Sequence, residues 1–128
     1  MKRATRNQIS NVNNPYQGNA KKVLCVCSAG ALRSPTLANI LHVELGYNTR
    51  AVGTAQEYCI IPISEVLVAW ADEIVFVDDD CKVYLDKEDW ELIEEWGAKV
   101  VTLGVEDKYD YGNPELKDIL LQQYLASV

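Results

Sequence analysis

The chain is poor in the residues that build metal centres. It has one histidine, His42, in a segment that reads as helix, and four cysteines, Cys25, Cys27, Cys59 and Cys81, which form a C-x-C pair followed by distant singles. Zinc sites are usually assembled from C-x2-C pairs or further histidines. The spacing therefore argues against a structural metal, and no cofactor is expected. No apolar run approaches the roughly 20 residues that cross a bilayer. The first twenty residues also lack the continuous apolar core of a secretory signal. The expectation is a cytoplasmic protein with no membrane partner and thiols reduced at rest.

Positive charge is the other shortage. Twelve lysines and arginines face 19 aspartates and glutamates, for a net charge of −7. Residues 1–22 carry Lys2, Arg3, Arg6, Lys21 and Lys22 and no acid, so the acidic excess lies entirely in the rest of the chain. Nucleic-acid affinity rests on neutralising phosphates, and an acidic body makes such a partner unexpected. Residues 1–21 read as a polar, basic leader, solvated and extended, with Pro15 and Tyr16 as the pair that would pack back on the body.

What remains is an ordinary globular composition, 48% hydrophobic and 24% charged, and enough length from residue 22 to 128 for one domain with its own core. The hydrophobic pattern switches repeatedly between strand and helix. "KVLCVC", "NTRAVGT", "DEIVFVD" and "AKVVTL" read as strands, the buried ones rich in β-branched residues. "SPTLANILHVEL" places Leu37, Ile40, Leu41 and Leu45 on one helical stripe. "PISEVLVAWA", "DKEDWELIEEW" and "PELKDILLQQYL" read as further helices, with Gly97 as a C-cap. Trp70, Trp90 and Trp96 fall on helical faces and are expected in the core. The run "DDD" at 78–80 reads as a solvated turn at a strand end. Alternating strands and helices imply a doubly wound α/β fold, a parallel sheet with helices on both faces.

Ligands in such folds bind beyond the carboxyl ends of the strands, where "CSAGALRSP" lies. Ser28, Ala29, Gly30, Ala31 and Leu32 are mostly small, and Gly30 can take positive φ at little cost. A turn of this kind aims successive backbone N–H groups at one point, an anion-binding nest. Ser34 followed by Pro35 reads as an N-cap and first helical residue, adding the donors of a helix N-terminus. Arg33 offers a planar fork for two oxygens of a phosphate or sulfate. An arginine and a helix N-terminus favour the thiolate of a neighbouring cysteine, so Cys27 is the expected nucleophile, with Ser34 able to donate to it. Nucleophile plus anion cradle implies phosphoryl transfer through a phosphocysteine.

C-x5-R-S-P at the end of a first strand resembles the phosphate-binding loop of the low-molecular-weight protein tyrosine phosphatases. "RAVGT", "WADEIVFV" and "DKYDYGNPEL" are similar to further segments of that family, the last to its compact prokaryotic and phage branch. The resemblance implies a flavodoxin-like sheet of four parallel strands and metal-free hydrolysis of aryl phosphates such as phosphotyrosine in proteins. It also implies a general-acid aspartate ahead of the last helix. Aligning the final helices puts Asp107 in that role, Asp110 in reserve, and Tyr109 as an aromatic wall. The chain departs from the family at Ala29, Gly30, Leu32, Lys108 and Asn113. Leu32 stands where the family has a second loop cysteine, so that cysteine's protective disulfide cannot form. Cys25 reads as a core thiol.

Two other readings share these residues. One is a phosphate- or phosphotyrosine-binding module with little turnover. The other is a thiol-dependent arsenate reductase, although Cys59 and Cys81 are too far apart in sequence to resemble the close thiol pair of those enzymes. From charge alone, peptide substrates with basic neighbours are favoured.

Overall fold

The computed structural model describes residues 1–12 and 18–128; Pro15 and Tyr16 lie outside them. Strands β1 (Lys22–Cys27), β2 (Asn48–Gly53), β3 (Glu73–Phe76) and β4 (Lys99–Thr102) form one sheet in the order β2-β1-β3-β4. All neighbours are parallel, with Cys27 opposite Gly53, Val26 opposite Phe76, and Phe76 opposite Thr102. The helices are α1 (Arg6–Val12), α2 (Arg33–Leu45), α3 (Glu65–Trp70), α4 (Lys87–Trp96) and α5 (Pro114–Ser127), with a 3₁₀ segment over Asp80–Tyr84. This is an α/β, flavodoxin-like arrangement.

Successive residues of β1 point to opposite faces of the sheet. Val23, Cys25 and Cys27 join a core with Leu37, Leu41, Leu116, Leu120 and Tyr124 of α2 and α5. Leu24 and Val26 join a second core with Val68, Trp70, Phe76 and Ile93, on the side of α3 and α4. Burial on both faces is why β1 and β3 are nearly all apolar. Helix α4 starts with a reciprocal capping box between Asp86 and Asp89 and stops at Gly97 in the left-handed conformation. Helix α5 starts at Asn113, whose side chain accepts from the N–H groups of Glu115 and Leu116.

The leader differs from its expected extended state. Residues 6–12 are helical, and the segment before them is tied down: Lys2 pairs with Ser64 as an isolated parallel bridge, and the Glu65 N–H donates to the Lys2 carbonyl. Buried Glu65 accepts from the Ala4 N–H at 2.9 Å, Arg3 Nε at 3.2 Å and Trp96 Nε1 at 3.0 Å. Its partners are more than sixty positions upstream or thirty downstream, which is why the local sequence does not announce them. Lys21 is not a solvated charge either; its Nζ lies 2.8 Å from Glu73, a carboxylate fully shut off from solvent. Trp96 also departs from expectation. It is 38% exposed, because its indole N–H is held at the rim by Glu65 while Trp90 packs on Phe76 with ring centroids 5.5 Å apart. Among the described residues no helix is long and apolar enough to cross a membrane.

Candidate active site at the carboxyl edge of the sheet

Order β2-β1-β3-β4 makes the gap between β1 and β3 the point where the winding reverses, and there a crevice opens beyond the strand ends. Each strand delivers one element to it. Cys27 and its loop follow β1, Tyr58 follows β2, Asp78 follows β3, and Asp107 follows β4.

The loop is closed from outside by its own carbonyls. Those of Cys27, Ser28 and Ala29 accept from the N–H groups of Thr54, Ala55 and Ile60. In a planar trans peptide the next N–H points the opposite way, so Ala29 and Gly30 turn their donors inward. The Gly30 N–H reaches Cys27 Sγ at 3.1 Å. Gly30 has φ +69°, and a Cβ there would meet the Gly53 backbone N at 2.9 Å. A Cβ on Gly53 would in turn meet the Ser28 carbonyl oxygen at 2.6 Å. Two glycines, one in the loop and one at the end of β2, let the backbone close around the sulfur.

Ser34 does not cap the helix. Helix α2 begins at Arg33, after Leu32, and Thr36 Oγ donates to the Leu32 carbonyl at 2.7 Å. The Ser34 hydroxyl is instead within the first turn, 3.1 Å from Cys27 Sγ and 3.3 Å from the Val52 carbonyl. The Cys27 sulfur thus has two donors, one from the loop backbone and one from Ser34. The other buried thiols are in different surroundings. Burial pushes Cys25 well above the ordinary thiol range, and it pushes Cys81 up to about 12. Both stay protonated and inert.

Arg33 is almost fully buried. Its Nη1 donates to Asp78 and, at 2.8 Å, to the Val105 carbonyl. Asp107 Oδ1 lies 3.7 Å from Arg33 Nε, and the Asp107 side chain is 67% exposed. Burial acts to raise the Asp78 carboxyl, but the Arg33 hydrogen bond, the Cys81 N–H at 3.0 Å and the Arg33 charge outweigh it and hold it below its usual range. Asp78 is therefore a fixed carboxylate that aims the guanidinium. Of the run Asp78–Asp80, read as a solvated turn, only Asp79 and Asp80 are exposed.

Cys27, Ser28, Ala29, Ala31, Leu32, Arg33, Tyr58 and Asp107 line one cavity of about 110 Å3. It brings together Cys27, Arg33 and Asp107 with four of the loop residues expected at the site. Tyr109 is elsewhere, buried in the core with α2 and α5, where its ring shields the underside of the loop before α5. The aromatic residue at the cavity is Tyr58, which the sequence reading missed. Its hydroxyl lies 3.1 Å from that of Tyr84, and the rings meet edge to face at 6.4 Å. The Tyr84 hydrogen bond, then burial and the charges of Tyr84, Asp107 and Cys27, raise the Tyr58 phenol above its ordinary range. The available signal was positional: Tyr58 follows the end of β2 on the edge that carries the loop. Asp110 is exposed in the turn before α5, where its carbonyl accepts from Asn113. His42 Nδ1 is satisfied by the Tyr47 carbonyl at 2.9 Å, away from the cavity. No protein-family model matches the chain, and no curated protein sequence matches it.

Proposed function

We propose that the protein is a cysteine-dependent phosphatase of aryl phosphomonoesters, with phosphotyrosine in proteins as the natural class, working as low-molecular-weight protein tyrosine phosphatases do. The observation that carries this reading is the pairing of Cys27 with Arg33 in one small cavity. The sulfur there receives the Gly30 N–H and the Ser34 hydroxyl. Two N–H donors of Arg33 are committed to Asp78 and Val105, which leaves the Nε–Nη2 edge as a fork for two phosphoryl oxygens. The inward N–H groups of the loop serve the remaining charge. A slot between Leu32 and Tyr58 suits a phenyl ring.

In the first step Cys27 Sγ attacks phosphorus, the S–P bond forms, and the P–O bond to the aryl group breaks. Asp107 gives its proton to the departing phenolate. In the second step Asp107, now a carboxylate, takes a proton from water. The water oxygen attacks phosphorus, the S–P bond breaks, and Cys27 leaves as a thiolate stabilised by Ser34 and Gly30. Exposure of Asp107 at the mouth suits a group that meets both the leaving group and the incoming water.

The test is a leaving-group series of aryl phosphates with the intact protein and Asp107→Asn. Proton donation matters most for basic leaving groups, so the substitution is expected to cost about 10²–10³-fold in kcat on phenyl phosphate and clearly less on p-nitrophenyl phosphate. An equal loss on both substrates would remove Asp107 from the acid role. Stoichiometric phosphopeptide binding with no turnover of any ester would favour a binding module.

A further inference from the structure

Beside the Cys27 cavity lies a second cleft, of about 290 Å3, lined by Thr54, Ala55, Gln56, Glu57, Tyr58 and Tyr84. The two are contiguous because Tyr58 belongs to both. We infer that this cleft is a subsite for an arginine or lysine next to the phosphorylated residue of a peptide, held between the Tyr58–Tyr84 pair and the Glu57 carboxylate. The inference rests on the phosphatase reading for the position of the phosphate, and on the cleft itself for the charge of the neighbour.

Three features select a cation. None of the six lining residues is basic and one is acidic, so the cleft is unsuited to a second anion. Its two aromatic rings stand at 85° to one another with about half of each exposed, Tyr58 at 59% and Tyr84 at 48%. Exposed tyrosine rings that are already held in place are good partners for a guanidinium or ammonium, through the ring face and with little ordering cost. Finally, the surroundings add negative charge and little positive. Asp79 and Asp80 are exposed at the start of the 3₁₀ segment that carries Tyr84. Lys82 of that segment is turned away, to Asp79 at 3.2 Å and over the rings of Phe76 and Trp90.

The floor of the cleft is rigid. Buried Thr54 donates its hydroxyl to the Cys81 carbonyl at 2.6 Å, tying the segment after β2 to the segment that bears Tyr84. The Tyr58–Tyr84 hydroxyl contact closes the same bridge at the surface. The aromatic corner is thereby fixed relative to Cys27, as a flanking subsite must be.

The experiment measures binding of phosphotyrosyl peptides to Cys27→Ser protein by calorimetric titration, with alanine, arginine or glutamate placed in turn at each position flanking the phosphotyrosine. Turnover of p-nitrophenyl phosphate by the intact protein is followed separately. At one flanking position arginine is expected to bind about tenfold more tightly than alanine, and glutamate more weakly than either. That ratio should fall towards one in Glu57→Gln and in Tyr84→Ala. Equal affinities for the arginine and alanine peptides at every position, with turnover intact, would overturn the subsite and leave the phosphatase standing. A preference for arginine that survives both substitutions would place the cation elsewhere and also overturn it. No binding of any phosphopeptide together with no turnover would overturn the subsite and the reading beneath it.

Discussion

Gly30 and Gly53 meet where the loop after β1 closes on the end of β2, and the chemistry of Cys27 depends on that contact. The loop can turn its N–H groups inward only because neither residue has a side chain. Gly46, the C-cap of α2, has nearly the same positive φ, yet a Cβ there would meet nothing within 4 Å. The three glycines therefore separate two costs. Gly46→Ala carries only the backbone term, about 1–2 kcal/mol. Gly30→Ala adds the overlap with the Gly53 backbone, and we expect it to lose at least about 1 kcal/mol more in urea unfolding. It should also disrupt the loop, abolishing phosphate protection of Cys27 from alkylation. Equal stability losses for Gly30→Ala and Gly46→Ala would show that the loop does not pack on β2 as described. At the same scale, Asn113 explains its own departure from an aspartate: its amide oxygen caps α5, a task for which asparagine and aspartate are equivalent.

Among the elements, the sheet and its covering helices were legible in the sequence because each buries a face at its own period. Leu24 and Val26 against Val23, Cys25 and Cys27 is the two-residue period of a strand buried on both sides. The N-terminal segment was not legible. Its order comes from Glu65, far along the chain, and a polar heptapeptide such as Arg6–Val12 has no core stripe to declare it. The same limit hid Tyr58 and Asp78, whose roles depend on which strand ends are neighbours in space. Tyr109 erred the other way, since an aromatic in a polar loop looks like a pocket wall until α2 and α5 cover it. The docking of the leader should respond to acid. The Ala4 N–H and the Trp96 indole, helped by Arg3 and opposed by burial, hold the Glu65 carboxyl below its usual range. Asp78 is lowered as well. A carboxyl lowered on folding contributes stability that is complete above its unfolded value and is lost as pH falls through its folded value. Wild-type protein should therefore lose urea stability below about pH 4, with a change in Trp96 fluorescence. Glu65→Gln, which removes that titration, should flatten both trends. An unchanged acid profile in Glu65→Gln would contradict the clamp.

Across the whole molecule, the two ends of the sheet divide the labour. The carboxyl end carries the cavity, and the opposite end is locked by Lys21, Glu73 and Tyr124. Glu73 accepts from Lys21 at 2.8 Å and from the Tyr124 hydroxyl at 2.7 Å while wholly buried. Such a carboxylate is costly without its cation. Lys21→Met should destabilise by about 3 kcal/mol, at the low end because the Lys21 side chain is 34% exposed. Adding Glu73→Gln should recover part of the loss, since the amide can still accept from Tyr124. Chemical denaturation of the two variants measures this, and a cost below about 1 kcal/mol for Lys21→Met would mean the pair is dispensable. None of these residues approaches the Cys27 cavity, so the same variants should retain the pH dependence of phosphate-ester turnover.

The central claim is that Cys27 carries the phosphoryl group. Its most direct test is rapid quenching of the intact protein and of Asp107→Asn in denaturant during turnover of p-nitrophenyl phosphate, followed by mass spectrometry of the peptide that contains Cys27. The account predicts one phosphoryl group on Cys27, and none in Cys27→Ser. Folded protein that turns over the ester with Cys27 never phosphorylated, or that keeps its activity in Cys27→Ser, would contradict it.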